Sequence, residues 1–173
     1  MKRILKNIIL SSLLSLGLYL LFAITLFGWL EDQKLRFLMC SLAAVTTFAA
    51  IFFYIQKYRK GVCEYEVLSD YKNEKYDTKR EMLLIWQREK LFVFAVFMIT
   101  LICSIISLTD RLLFQTQVLS LLTTILFGSL MMLSSVIEIP FLGNFLSGFY
   151  VCALYLLFVF LYRKKRYTYW MKK

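Results

Sequence analysis

The chain has 173 residues, of which 60% are hydrophobic and 17% aromatic, with only six Gly and one Pro. This composition excludes a disordered chain and a soluble domain, because so much apolar surface needs a bilayer to cover it. The net charge of +10 raises nucleic acid as a ligand. However, the Lys and Arg residues cluster beside apolar segments, where anionic lipid headgroups attract them. We therefore expect the lipid bilayer, and not nucleic acid, as the partner.

Five apolar segments account for most of the chain, at residues 8–30, 37–56, 91–109, 118–137 and 141–162. Each is close to the roughly 20 residues that a helix needs to cross a bilayer. The apolar residues form unbroken blocks and do not alternate as they would in a strand. The sequence predicts an all-α polytopic protein of the cell membrane, a single domain over residues 1–173 with four or five transmembrane helices. The first segment is too long for a cleavable signal and is predicted to be retained as a span.

The two polar regions are the segment 57–90 and the basic tail 163–173. The segment carries nine Lys or Arg and seven Asp or Glu, and a near balance of charge is typical of protein contacts. Thr78 and Glu81 have the spacing of a capping box, which predicts a helix start. The apolar cluster that includes Trp86 then predicts a helix that lies on the membrane or continues into the third span. The alternative is a cytosolic extension of that span, packed on neighbouring helices.

The tail combines cations with aromatic residues, as membrane interfaces do. Its cations at positions 163–166 and Trp86 are therefore predicted to contact the membrane surface or a partner. The four are Arg163, Lys164, Lys165 and Arg166.

If all five segments cross the membrane, the two termini lie on opposite sides, whereas the distribution of Lys and Arg favours the same side for both. If 118–137 does not cross, 18 of the 21 Lys and Arg lie on one side, namely three before residue 8, nine in 57–90 and six in 163–173. The positive-inside rule then places both termini in the cytosol. Segment 118–137 is rich in Ser and Thr, and Gly128 divides it into halves too short to span. We therefore favour a re-entrant segment, with five full spans and an external amino terminus as the rival.

No pattern for catalysis, metal binding or a cofactor is present. The chain lacks His, which removes Ser-His and Cys-His pairs and histidine zinc sites. We therefore expect a protein that is not an enzyme. The cysteines are spaced as core residues, and Cys63 is the one thiol for which reactivity is expected. The cysteines are Cys40, Cys63, Cys103 and Cys152.

Two sets of residues are candidates for a role within the membrane. Glu138 ends an apolar segment, where a carboxylate is costly unless it is paired or hydrated, and Asn144 is its expected neighbour. Ser120, Thr124 and Gly128 repeat at i+4, the small-residue spacing that lets membrane helices approach closely.

The sequence constrains the function of the protein less than its fold. The first hypothesis is a non-enzymatic sensor or scaffold, in which 57–90 and the tail engage a soluble cytosolic protein. The alternative is a subunit of an oligomeric channel or transporter that uses 118–137 and Glu138. Because so small a bundle encloses little, both hypotheses include a homo-oligomer or a larger membrane complex.

Overall fold

The computed structural model describes residues 1–26, 30–58, 61–72, 75–110, 112, 118–135, 137 and 140–170. Every regular element in those ranges is helical. A π-helical turn, Tyr54–Tyr58, extends α2, and a 3-10 turn, Met132–Ser135, extends α5. The six α-helices are α1 (Lys2–Leu26), α2 (Gln33–Phe53), α3 (Val62–Asp70), α4 (Thr78–Thr109), α5 (Val118–Met131) and α6 (Pro140–Trp170). The all-α bundle predicted from composition is confirmed.

Aspartates begin two of the long helices. The carboxylate of Asp32 accepts a hydrogen bond from the backbone N–H of Lys34 at 2.9 Å, and Asp77 does the same for Lys79 at 3.0 Å. Each bond satisfies an amide that would otherwise lack a partner in the first turn. The helix predicted near residue 78 therefore exists, but Asp77 is its cap and Thr78 is its first helical residue. The predicted capping box is wrong, because Glu81 is buried in the bundle.

Four helical segments in the described ranges are long and apolar enough to cross a membrane. They are Lys2–Thr25, Gln33–Tyr58, Thr78–Thr109 and Leu142–Trp170. The protein is thus a multi-pass membrane protein. By contrast, α5 has 14 residues, a length of about 21 Å against a hydrocarbon layer of about 30 Å.

Side-chain contacts place both ends of the chain at one end of the bundle. Asn7 near the start of α1 donates to Gln56 after α2 at 3.1 Å. Lys57, the next residue, pairs with Glu89 in the first half of α4 at 2.7 Å. Near the end of α6, Arg163 pairs with a carboxylate in the first turn of α4. We call this the terminal end, since it holds the start of α1 and the last turns of α6.

The fifth helix reaches only the middle of the bundle. It begins at the opposite end, where the backbone N–H of Ser120 donates to Asp110 at the end of α4 at 3.0 Å. The hydroxyl of Ser129 then lies 3.1 Å from that of Ser12, near the middle of α1. Non-helical backbone angles at Phe127 (φ −129°, ψ 17°) bend α5 beside the glycine predicted to divide it.

After α5 the chain turns back. Ser41 on α2 donates to the carbonyl of Met132 at 2.9 Å, and the N–H of Leu133 donates to Ser147 on α6 at 3.1 Å. Helix α6 begins at Pro140. At a rise of 1.5 Å per residue, Pro140 lies about 10 Å nearer the opposite end of the bundle than Ser147 does. The segment α5 with its 3-10 turn therefore enters and leaves at the same end.

Candidate functional site

The buried guanidinium of Arg163 joins three helices at the terminal end. Its side chain is 1% exposed and donates to both carboxylate oxygens of Glu81, which is fully buried on α4. It also lies 2.8 Å from Asp70 and 3.3 Å from Glu66, both on α3. Arg163 is therefore not the surface contact predicted, because it holds α3, which lies outside the candidate spans, against α4 and α6.

A second buried ion pair lies about two helical turns further along α4, at Glu89. The ammonium of Lys57 is 2.7 Å from Glu89 and 3.3 Å from Glu66. The hydroxyl of Tyr155, in the core, donates to the other oxygen of Glu89 at 2.7 Å. Arg88 lies 2.9 Å from Glu66 and 2.7 Å from the aspartate of α3. Glu66 thus connects the two ion pairs into one charge network.

The charge network comprises three cations and four carboxylates among the described residues. With every group ionised its net charge is −1. Burying charges is costly unless each has partners, so this network needs all of its contacts. Its members are Lys57, Arg88 and Arg163 with Glu66, Asp70, Glu81 and Glu89.

The first half of α4 buries its two acids and exposes apolar side chains. Glu81 and Glu89 are at most 3% exposed, whereas Met82, Leu83 and Trp86 are 52–63% exposed. Exposed cations accompany these apolar residues along the same half of α4, and such a mixture is typical of a membrane interface. The exposed Trp86 is free to make the predicted contact with the membrane surface or a partner, which stays a prediction. Helix α4 continues without a break into the third apolar segment.

A polar cavity of about 630 Å³ opens beside the charge network. Arg3 and Asn7 of α1 line one wall, and Glu66 and Ser69 of α3 line another. Lys57 lies between them, so the cavity exposes part of the buried network.

Beyond the candidate spans, α3 packs through a small tyrosine cluster. Tyr71 donates to Glu81 at 2.7 Å, and the hydroxyl of Tyr167 accepts from the N–H of Tyr76 at 3.0 Å. Burial and the hydrogen bond to Glu81 raise the pKa of Tyr71, and burial raises the pKa of Tyr76 to about 12. Burial also raises the pKa of the Cys63 thiol to about 11. Cys63 is therefore not the reactive thiol expected, since reactivity needs the thiolate.

The remaining tail cations lie nearer the surface. Lys164 and Lys165 are exposed, as the sequence predicts. Arg166 is half-buried and pairs with Glu64 of α3 at 2.9 Å. That contact is another link between the tail and α3.

Of the two predicted membrane-site residues, only Asn144 is described. It is 1% exposed on α6, and its Oδ1 has no hydrogen-bond partner in the described part of the chain. Glu138 lies outside the described residues, so its pairing with Asn144 stays a prediction. Buried serines also line the middle of the bundle where α5 turns back. They are Ser12, Ser15, Ser41, Ser129 and Ser147.

The predicted small-residue stripe on α5 does not form one packing face. Gly128 is buried, and a Cβ there would lie 3.3 Å from Leu16 of α1. Ser120 is half-buried, but Thr124 is exposed and donates back to its own helix at 2.8 Å. The bend at Phe127 falls between Thr124 and Gly128, although the Cγ2 of Thr124 still lies 3.6 Å from where a Cβ of residue 128 would be.

The charge network is the feature that the sequence prediction missed. Its acids were assigned to a solvated segment with near-balanced charge. The available signal was the i, i+4, i+8 spacing of Glu81, Ile85 and Glu89, which puts two acids on one face, with Met82 and Trp86 off it. If the apolar residues face lipid, the acids must face the bundle.

No protein-family model, curated protein or solved structure matches the chain. No cluster of three or more His, Cys, Asp or Glu able to hold a metal occurs among the described residues.

Proposed function

We propose that the protein is a non-enzymatic subunit of an oligomeric channel or transporter in the cell membrane. The observation that carries this proposal is the half-crossing path of α5 and its 3-10 turn. Irregular backbone at membrane depth is tolerated where it is buried in protein or lines a polar path. Discontinuous helices that end near the midplane are also the usual way in which transporters build their solute sites.

Polar groups at the terminal end and in the middle of the bundle support this proposal. The cavity of about 630 Å³ opens at the terminal end, and the buried serines surround the tip of α5 in the middle. Asn144 adds a carbonyl oxygen without a hydrogen-bond partner in the described ranges. Glu138, outside those ranges, is the carboxylate that the sequence predicts for the same path.

The proposal places the terminal end in the cytosol. The described cations before residue 8, in 57–90 and in 163–170 all belong to that end in this topology, which agrees with the positive-inside rule. The cavity is then the cytosolic entrance, and the tip of α5 is the element that must move for a solute to pass.

A disulfide that fixes the tip of α5 tests the proposal. In a cysteine-free background, Ser12→Cys with Ser129→Cys joins α1 to α5, whose hydroxyls lie 3.1 Å apart. The matched control, Ser15→Cys with Ala44→Cys, joins α1 to α2, where Ser15 donates to the carbonyl of Ala44 at 2.6 Å. Both pairs are reconstituted into liposomes and assayed for flux of Na⁺, K⁺, Cl⁻ and small zwitterions.

We expect oxidation to reduce flux at least tenfold in the α1–α5 pair, with recovery on reduction and little change in the control. Flux no higher than in protein-free liposomes for the whole panel would contradict the proposal. Flux that is indifferent to the α1–α5 disulfide would contradict it equally.

A groove at the terminal end favours the second candidate function, a sensor or scaffold. Its volume is about 500 Å³, and it lies between α3 and the last turns of α6, the two regions that the sequence predicts to bind a cytosolic protein. Tyr65 and Leu68 of α3 and Trp170 of α6 line it and are 76%, 42% and 38% exposed. The charged residues of α3 support this function less, because the network already uses Glu66 and Asp70.

Photo-crosslinking distinguishes this second function. A crosslinker at position 65 or 68 is expected to capture one defined cytosolic protein, whereas one at the exposed Lys79 is not. Equal capture at all three positions would indicate random encounter and remove the support for a scaffold.

A further inference from the structure

An apolar groove of about 440 Å³ lies between α4 and α6, and we call it the α4–α6 groove. It opens on the surface of the bundle, because Met82, Trp86 and Leu157 in its walls are exposed. None of the described residues that line it is charged, so its lining suits hydrocarbon. The α4 wall is Met82, Ile85 and Trp86, and the α6 wall is Ala153, Leu156, Leu157 and Phe160.

Two contacts between α4 and α6 fix the depth of this groove. Glu81 on α4 pairs with Arg163 on α6. Glu89, eight residues later on α4, accepts a hydrogen bond from Tyr155, eight residues earlier on α6. The two helices therefore run in opposite directions, with these pairs at matching levels. Ala153, the lining residue of α6 furthest from the terminal end, lies about 15 Å from the level of Arg163 at 1.5 Å per residue. The groove thus extends from near the terminal end towards the middle of the bundle, the direction that an acyl chain takes.

Two exposed lysines lie at the terminal end of the groove, one on each helix. Lys164 is four residues after Phe160 and continues the face of α6 that forms the wall. Lys79 is seven residues before Trp86, which is two turns along one face of α4. Both lysines lie within two residues of the ion pair nearest the terminal end, and therefore at its level. Neither lysine makes an ion pair with any residue that the structure describes.

The described acids of this half of α4 leave the two lysines without a counter-charge. Glu81 and Glu89 are buried and already paired within the charge network. Asp77 caps the helix by accepting from the backbone N–H of Lys79, and side chains two residues apart do not face each other on a helix. Lys90, exposed on the same half of α4, adds a further cation. The apolar groove therefore has a cationic end.

We propose that the α4–α6 groove binds an anionic phospholipid, with its phosphate between Lys79 and Lys164 and one acyl chain along the apolar lining. A phosphate accepts charge-assisted hydrogen bonds from ammonium groups, and lysines at the membrane surface attract anionic headgroups. The indole of Trp86 suits the boundary between the two parts of the lipid.

Charge favours this occupant over the alternatives. A zwitterionic headgroup would bring its own ammonium against the lysines. A second copy of the chain, packed groove to groove about a two-fold axis, would bring the same lysines together. Only an anionic amphiphile matches both the cationic end and the apolar lining. The proposal does not depend on transport, since a scaffold would bind the same lipid.

Quenching of Trp86 fluorescence by brominated lipid tests this inference. The full-length protein carries Trp29→Phe and Trp170→Phe, so that Trp86 is its only tryptophan. It is reconstituted in phosphatidylcholine that contains a small mole fraction of phosphatidylglycerol or phosphatidylethanolamine. Each of the three lipids is supplied in turn with brominated chains, and the quenching gives its relative affinity for the groove.

Two sets of variants locate the lipid. Lys79→Gln with Lys164→Gln removes the proposed phosphate contacts, and Lys165→Gln is the control because this exposed lysine lies about 100° around α6 from Lys164. Ala153→Phe fills the groove from an exposed position without changing any charge. Ala50→Phe, exposed on α2 and outside the lining, is its control.

We expect phosphatidylglycerol to associate with Trp86 about tenfold more tightly than the other two lipids. The double lysine variant should abolish this preference, Ala153→Phe should weaken the association about tenfold, and both controls should leave it intact. Equal association of the three lipids would overturn the inference, as would a preference that survives the double lysine variant. A preference unchanged by Ala153→Phe would mean a headgroup contact alone and would overturn the chain position. Absence of quenching by any lipid would mean that protein covers the groove and would overturn the inference outright.

Discussion

Arg163 is the residue on which the terminal end most depends. Replacing it with Met leaves the fully buried Glu81 and the neighbouring Asp70 without their cation. Removing one partner of a buried ion pair costs about 3–5 kcal/mol. We therefore expect Arg163→Met to lower the free energy of unfolding by that amount, as measured by thermal or denaturant unfolding in detergent.

Arg166 provides a control in the same helix. Its partner Glu64 has a side chain that is 41% exposed, and such pairs contribute about 0–1 kcal/mol. Arg166→Met should therefore change stability little. Equal losses from both substitutions would show that the charge network is not the stabilising feature at Arg163.

Cys63 gives a prediction about chemical reactivity. Burial raises its pKa from an ordinary value of 9.0 to about 11, so its thiolate fraction at pH 8 falls about 100-fold. In a variant that retains only this cysteine, we expect iodoacetamide to react at pH 8 about 100 times more slowly before denaturation than after it. Comparable rates in the two states would show that α3 is open in solution.

Local sequence does not reveal which distant charges meet. Glu81 and Arg163 are 82 positions apart, and composition treats both as residues of solvated segments. Lys164, Lys165 and Trp86 are exposed, and their contact with the membrane surface or a partner stays a prediction. Predictions failed where a charge is neutralised by a tertiary contact.

At the scale of elements, α6 approaches α4 closely at Gly148. A Cβ at this position would lie 2.9 Å from both the Oγ1 and the Cγ2 of Thr100. Thr100 is short and β-branched, so its side chain has little room to move away. We expect Gly148→Ala to destabilise the protein by about 1–3 kcal/mol through overpacking, measured by thermal unfolding in detergent.

Two further variants make this prediction specific. Thr100→Ala removes the atoms in conflict, so adding it to Gly148→Ala should restore part of the lost stability. Gly17→Ala, where a Cβ meets nothing within 4 Å, should be neutral or slightly stabilising because Ala favours helix more than Gly. If Gly17→Ala were as harmful as Gly148→Ala, close packing would not be the cause.

Helix existence was predictable from hydropathy, since four long segments are apolar enough to span a membrane. The fifth segment shows the limit of that signal. Its residues are apolar enough to be counted as a span, and only its Ser and Thr content and Gly128 indicated a break. The bend and the return of the chain are fixed by contacts with α1, α2 and α6, which no local pattern encodes.

For the whole molecule, the decisive property is that both ends of the chain share one end of the bundle. A chain that crosses the membrane four times, with α5 crossing only halfway, must have both ends on one side. A chain that crosses five times must have them on opposite sides. Single cysteines at exposed positions in a cysteine-free background report this directly in intact cells. Lys2, Lys72 and Thr168 represent the terminal end, and Lys34 and Leu112 represent the opposite end.

We expect an impermeant maleimide to label positions 34 and 112 in intact cells and to reach 2, 72 and 168 only after the membrane is opened. The reason is that, of the described Lys and Arg residues, all but Lys34 and Arg36 belong to the terminal end, which favours the cytosol. Labelling of 168 together with 34, while 2 stays protected, would mean that α5 crosses completely. The polar contacts at its tip would then belong to ordinary helix packing, and the transport proposal would lose the observation that carries it.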